Sequence, residues 1–181
     1  MTSQQLFSKR PSPTVDRWLF RGELKECLVT KRNPNHSHTL HIVSFLLELW
    51  LRTQSEPRGR IYSGEAYFRL RVDPETNVGI DVALATAEQV AATEKKSRFV
   101  DGPPHLAVEI LSPFDKQIDI HEAIEEYLDC GVKAVWIVDP YSETVEIHRL
   151  GKPPELLNRA NAIESQVELP GFRCTVAELF M

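Results

Sequence analysis

The stretch Asp101–Pro140, DGPPHLAVEILSPFDKQIDIHEAIEEYLDCGVKAVWIVDP, constrains this chain more than any other, because it reads as strand, sharp turn, helix and strand. Leu106–Leu111 (LAVEIL) is a short apolar run with one acid inside it, bounded by Gly102-Pro103-Pro104 and Ser112-Pro113. Such a run fits a strand covered on both faces. Glu109 is then a carboxylate set in a buried strand, where an ionised group needs a partner or a metal. It lies near the strand's C-terminal end, where open α/β sheets place ligands. Ile120, Ala123, Ile124, Tyr127 and Leu128 then recur at helical spacing and give one apolar stripe. Glu122, Glu125, Glu126 and Asp129 lie off that stripe and are expected to face water. Asp119 is the expected N-cap and Gly131 the residue just past the C-terminus. Val132–Val138 is a second apolar strand, stopped by Asp139-Pro140. The order predicts a right-handed crossover between parallel strands.

The 181 residues suffice for one domain with a substantial core. Residues 1–13 read as a loose leader and 14–181 as the domain. The formal net charge of −5 argues against tight non-specific nucleic-acid binding over the whole surface. A local basic groove, or a metal that offsets acids at a site, is compatible with it. Cys27, Cys130 and Cys174 are far apart and form no CxxC pair, so neither a disulfide framework nor a zinc site is signalled. The N-terminus has no apolar signal region. The most apolar stretch, Ile42–Leu51, is too short to span a bilayer and contains Glu48. A cytoplasmic protein is expected.

Thr14–Phe20 reads as a short helix, Arg21-Gly22 as a turn and Glu23–Val29 as an opening strand. A helix capped by Asn35 or Ser37 runs to about Arg52, with Leu40, Val43, Leu46, Leu47 and Trp50 as its apolar stripe. Arg60–Val72 alternates, as two strands broken near Gly64. Asp73–Asn77 is a turn, and Val78–Ala85 (VGIDVALA) is another apolar run carrying one acid, Asp81. Residues 86–100 read as a helix and a loop, Thr144–Leu150 as a strand with Glu146 outward, and Val176–Phe180 as a last apolar turn.

Two neighbouring apolar runs thus each carry one carboxylate. Period-2 alternation puts Asp81 on the face of Ala83 and Ala85, and Glu109 on the face of Ala107 and Leu111. If the runs pair, the faces coincide. Close carboxylates raise each other's pKa unless a cation sits between them, and oxygen ligands of this kind suit Mg²⁺ or Mn²⁺. Taken singly, either acid is better read as a strand-end residue bonded to backbone amides; taken together, they favour a metal.

The ordered set Gly79-Ile80-Asp81-Val82, then Glu109-x-x-Ser112-Pro113, then a helix, then Gly131-Val132-x-x-x-Trp136-Ile137-Val138-Asp139-Pro140 resembles the Uma-type restriction endonuclease family of the PD-(D/E)XK nuclease superfamily. Arg21-Gly22-Glu23-Leu24, Asn35–His38, Gly64–Leu70 with Asp73–Thr76, and Leu169-Pro170-Gly171-Phe172 extend the resemblance over nearly the whole chain. It implies an α/β fold with a restriction-endonuclease-like core, a mixed β-sheet flanked by helices. It implies a metal-dependent endonuclease acting on DNA, with Asp81 and Glu109 as the catalytic, metal-binding acids. The backbone carbonyl of Ile110 is implied as a further ligand to Mg²⁺ or Mn²⁺. Enzymes that cut both strands are commonly dimeric, so a homodimer is compatible with the resemblance, although no distinctive interface patch stands out.

One departure bears on catalysis. The superfamily's lysine lies two residues after the second acid, where this chain has Leu111. The family commonly moves that lysine into the following helix, four residues before a tyrosine, where this chain has Ala123. Losing one such electrostatic contact typically lowers a rate by about 10²–10³. Lys116 is the nearest substitute and reads better as a surface lysine. The rival reading is a catalytically weakened nuclease-fold protein that binds nucleic acid or a protein partner. A metal-free carboxylate-pair hydrolase, such as a glycosidase, is a third and weaker one.

Other residues fit quieter roles. Glu65 reads equally as a third site acid or an edge-strand residue. His36, His38 and His41 lack a third ligand at suitable spacing and read as capping or packing residues, and the resemblance implies that His38 approaches the site. Lys95, Lys96 and Arg98 read as a solvated run able to touch phosphates. Trp136 and Tyr127 read as core, the tyrosine hydroxyl finding a partner.

Overall fold

The computed structural model describes residues 5–6, 15–28, 33–94, 97–113, 115–164 and 166–181. In order, the elements are β1 (Val15–Phe20), β2 (Glu23–Leu28), α1 (Pro34–Leu51), β3 (Arg60–Val72), β4 (Glu75–Ala85), α2 (Ala87–Ala92) and β5 (Val100–Asp101). They continue with β6 (Leu106–Ile110), α3 (Gln117–Cys130), β7 (Ala134–Asp139), β8 (Thr144–His148), β9 (Glu155–Asn158), β10 (Ala162–Glu164), β11 (Arg173–Thr175) and a 3₁₀ helix, Val176–Phe180. Among the described residues nine strands make one mixed sheet in the order β2-β1-β4-β6-β7-β8-β9, with β3 on the far edge of β4 and β5 beside β3. The strand, helix and strand of 101–140 form as expected: β6 and β7 are parallel, in register from Leu106 opposite Ala134 to Ile110 opposite Val138.

Each face of the sheet buries its own core. Val43, Leu47 and Leu51 of α1 pack with Val82, Leu84, Val108 and Trp136 and with Leu179 of the 3₁₀ helix. Ile124, Tyr127 and Leu128 of α3 pack with Ala83, Ala85, Ala107 and Ile137 on the other face. The stripe read from the sequence is therefore the buried stripe of α3. No helix among the described residues is long and apolar enough to cross a membrane. Of the expected leader only Gln5 and Leu6 are described, and Leu6 is buried.

Several local expectations need correction. Residues 15–20 form a strand rather than a helix, paired residue by residue with β2 around Arg21-Gly22, which take φ of 51° and 79°. A helix this short is marginal alone, whereas a turn that tolerates positive φ closes a hairpin. The N-cap of α1 is Asn33, not Asn35 or Ser37. Its Oδ1 accepts from the His36 N–H at 2.9 Å, and Pro34 occupies the first helical position, where its fixed φ is an advantage. At α3 the N-cap position is Lys116, with no side-chain cap, and Asp119 sits in the first turn, where a carboxylate still complements the helix dipole. Residues 60–72 form one strand, interrupted by a bulge rather than a break.

The largest correction concerns Glu126, which is 1% exposed instead of facing water. Its Oε2 accepts from Arg21 Nε at 2.6 Å. Its Oε1 accepts from Arg71 Nη2 and from the Thr76 hydroxyl, each at 2.8 Å. Burial works against ionisation here. The hydrogen bonds from Arg21 and Thr76, together with the Arg71 charge, outweigh it and hold the carboxyl below its usual range.

Two predictions follow from these contacts. Asn33→Ala should lower stability by about 1 kcal/mol, the ordinary effect of losing a side-chain N-cap, read as a shift in urea midpoint at constant slope. Glu126→Gln should destabilise by about 2–4 kcal/mol, at the lower end for breaking a buried ion pair, because Arg21 is 47% exposed and can rehydrate. A depressed folded pKa contributes stability above the unfolded carboxyl value, about 4.3, and loses it as pH falls through the folded value. The melting-temperature gap between wild type and Glu126→Gln should accordingly narrow below about pH 4. A gap unchanged from neutral to acid pH would show that charge is not what the two arginines hold.

Candidate active site

β4 is where the sheet divides. One of its edges pairs with β3 along nearly its full length. The other pairs with β1 at Asn77 and with β6 from Val82 to Leu84. Val78–Asp81 lies between those two ladders, and a cleft of about 610 Å³ opens beside it. Its walls include Val78, Gly79 and Asp81 of β4, Glu109 and Ile110 of β6, and Ala123 and Tyr127 of α3.

Asp81 and Glu109 occupy the next cross-strand positions past the last β4–β6 pair, Val82 opposite Val108. The two acids singled out in the sequence therefore stand side by side at the point where the ladder ends. Asp81 Oδ2 accepts the Ile110 N–H at 2.9 Å, so the side chain takes up an amide beyond the ladder. In a strand, a residue's N–H and C=O leave by the same edge. The Ile110 carbonyl is thus directed to the β4 side, toward Asp81, rather than to β7. The same Asp81 oxygen lies 3.2 Å from His36 Nε2, a buried ring whose Nδ1 has no hydrogen-bond partner among the described residues. Glu109 Oε1 accepts from the Tyr127 hydroxyl at 2.8 Å. Burial, then the Glu109 charge, that hydrogen bond and the Asp81 charge push the Tyr127 pKa well above its usual value. Tyr127 consequently remains a proton-bearing donor to Glu109 across the ordinary pH range.

Strict period-2 alternation does not run the length of β4. Val78 and Ile80 join the α3-side core, as do Ala83 and Ala85, while Val82 and Leu84 join the α1-side core. The alternation changes phase at Asp81. Opposite it, β3 places two residues, Gly64 and Glu65, against one, a bulge of the kind that re-aims side chains near sites. Both carry positive φ, 80° and 60°, and for glutamate that conformation is strained. Glu65 lines the cleft. A Cβ on Gly79 would stand 3.3 Å from the Glu65 Cβ and carbonyl oxygen, so the glycine leaves room for the bulge.

The other sequence candidates divide as follows. Of the three helix histidines it is His36, not His38, that reaches the site; His38 Nε2 lies 2.5 Å from the Met181 carbonyl, and His41 stacks near Phe45. Leu111 and Ala123 both line the cleft, so a side chain at position 123 does face the acids. Lys116 also lines it, from an exposed position. Lys95 and Lys96 lie outside the described residues. Trp136 is core. Trp18, Phe20 and Lys25 of the first hairpin and Tyr67 of β3 also line the cleft. Sequence reasoning missed Trp18 and Phe20 because residues 14–20 were read as a helix, and Lys25 and Tyr67 because nothing local places their strands beside the acids. The signal available was the alternation of Trp18 and Phe20 just before a glycine turn.

The donors at the split are hard oxygens. Among the described residues no three His, Cys, Asp or Glu side chains converge, so a side-chain cage of the zinc type is not formed. Two carboxylates and a strand-end carbonyl fit an ion that keeps several waters and takes only one or two protein carboxylates, as Mg²⁺ does.

Against known proteins, the structure is similar to a crystal structure described as "a putative nuclease belonging to DUF820" from Anabaena variabilis. The TM-score is 0.80 at 15% sequence identity, over 99% of this chain and 97% of that one. No curated protein matches. The family model "Uma2: Putative restriction endonuclease" matches residues 5–177. The chain belongs to the Uma2 family.

Proposed function

We propose that this protein is a metal-dependent endonuclease that hydrolyses phosphodiesters in DNA. The observation that carries the reading is the pairing of Asp81 and Glu109 at the end of the β4–β6 ladder, beside Ile110 and in the wall of one cleft. Membership of a family described as restriction endonucleases supports it.

In this reading Asp81, Glu109 and the Ile110 carbonyl hold Mg²⁺ or Mn²⁺. When bound, the ion supplies an activated water and offsets charge on the phosphate. The protein's own part is to position. The Ile110 amide and His36 fix the Asp81 carboxylate from one side. Tyr127 fixes Glu109 from the other, through a donor that burial keeps protonated. Hydrolysis adds the water oxygen to phosphorus and breaks one P–O ester bond.

Leu111 and Ala123 stand where the resemblance expects a lysine, and both face the cleft. That observation favours a second reading, a weakened nuclease that binds DNA without turning it over quickly. Among the described residues, Lys25 and Lys116 are the lysines lining the cleft.

Supercoiled plasmid should be nicked in Mg²⁺ or Mn²⁺, not with chelator and not by Asp81→Asn/Glu109→Gln. Calorimetry of Asp81→Asn should show Mn²⁺ binding lost; unchanged affinity would remove the metal site. Ala123→Lys should raise the cleavage rate by up to about 10²-fold. A folded, metal-binding Ala123→Lys protein with no gain would show that the charge is supplied elsewhere in the cleft.

A further inference from the structure

The first hairpin contributes an unusual wall to the cleft. Trp18 of β1 and Lys25 of β2 are direct cross-strand partners, so their side chains leave the same face of the ribbon. Both line the cleft. Trp18 is only partly buried against the α3-side core. The Lys25 ammonium lies 5.8 Å from the centre of the Phe20 ring, and Phe20 lines the cleft too, with Tyr67 from β3. Aromatic faces beside a lysine are the elements with which proteins hold unpaired nucleic acid: bases stack on the rings and the backbone follows the charge.

Size and charge favour the same occupant. A cleft of about 610 Å³ falls within the range that encloses one small molecule, room for a short stretch of one strand to enter. Its ionisable lining is mostly acidic, with Glu26, Glu65, Asp115, Asp119 and Glu122 in addition to the central pair. A duplex presents one negative charge per about 1.7 Å of axis and meets repulsion along that lining. A single strand bends, and can bring one phosphate to the acids while its neighbours stay clear.

We propose that the cleft takes an unpaired nucleic-acid strand, one base stacked on Trp18 and its phosphate beside Lys25, so that single-stranded regions rather than intact duplex are the substrate. This rests on the nuclease reading above and specifies its substrate class.

The test is binding, measured on the full chain by fluorescence anisotropy in Ca²⁺, which takes oxygen ligands as Mg²⁺ does but in a looser geometry. The probes are labelled oligodeoxyuridylate, oligouridylate and a blunt duplex of equal length. At least one unpaired strand should bind about tenfold or more tighter than the duplex, and the tighter of the two identifies the sugar. Trp18→Ala should weaken strand binding by about 5- to 140-fold, the range for removing one stacking aromatic, and Trp18→Phe should retain most of it. Lys25→Gln should reduce the slope of log affinity against log salt by about 0.7. Duplex binding as tight as strand binding, or no strand binding, overturns the proposal. So does a folded Trp18→Ala protein with unchanged affinity; if that variant does not fold, an unchanged salt slope in Lys25→Gln overturns it instead. Strand binding without any metal-dependent cutting counts against the nuclease reading alone. Cutting that prefers intact duplex counts against this inference alone.

Discussion

The buried carboxylate of Glu126 is the interaction on which the arrangement of the cleft depends. It draws Arg21 from the turn of the first hairpin, Arg71 from the end of β3 and Thr76 from the start of β4 onto one residue of α3. Successive residues on a helix are about 100° apart around its axis, so fixing Glu126 on one side fixes the neighbouring Tyr127 on the side that meets Glu109. A hydrophobic residue at 126 would bury as well and would leave the rotation of α3 to a stripe of interchangeable apolar side chains. Buried ion pairs are weak sources of net stability because desolvation offsets their attraction. Here the pair serves register: it ties the Trp18 hairpin, the long β3–β4 hairpin and the helix that carries Tyr127 and Ala123 into one relative position.

The second constraint is the divided edge of β4. A strand that pairs fully on both edges has no room for a site, and one that ends early would leave its acids on a mobile tip. β4 runs on past the split and pairs with β3 on both sides of Asp81, at Ile80 and at Val82, so Asp81 is held within a paired strand although β6 has left its other side. The bulge at Gly64-Glu65 lies opposite this residue, and the inward alternation shifts phase there. Local backbone strain and a missing Cβ at Gly79 thus sit together at the position where the chemistry is proposed, which is where strain tends to persist in folded proteins.

What the sequence revealed follows from the range of the forces involved. The β6–α3–β7 unit was legible because two apolar runs and a 3.6-residue stripe are local patterns. Asp81 and Glu109 were legible because an acid inside an apolar run is costly and therefore conspicuous. Glu126 was not: periodicity gives the angle of the stripe, and Glu126 lies off it, so water was the default. Its partners Arg21 and Arg71 stand 105 and 55 positions away, and no local pattern signals them. The Asn33-Pro34 pair marks the helix start. His38 was placed near the site by the resemblance alone, and no local pattern singles out His36, which meets Asp81 45 positions away. The hairpin wall of the cleft was missed for a similar reason, since β1 meets β4 at a single residue pair, Leu19 with Asn77.

The charge of the chain gives the nuclease reading a physical condition. With a net charge of −5 and a cleft lined more by carboxylates than by lysines, the protein cannot draw in a polyanion through its long-range field. Attraction to phosphate has to be local, and a divalent ion held by Asp81 and Glu109 would be the strongest charge in the cleft, offsetting the repulsion between those two carboxylates and a phosphate. The aromatic wall becomes more important under the same condition. Stacking does not depend on net charge, so a strand can gain affinity from Trp18 at a place where additional phosphate contacts are not available. Positions 111 and 123, which carry no lysine, fit this balance: in the nuclease reading the cleft would rely on a bound cation and on a ring it already has, with few fixed positive charges of its own.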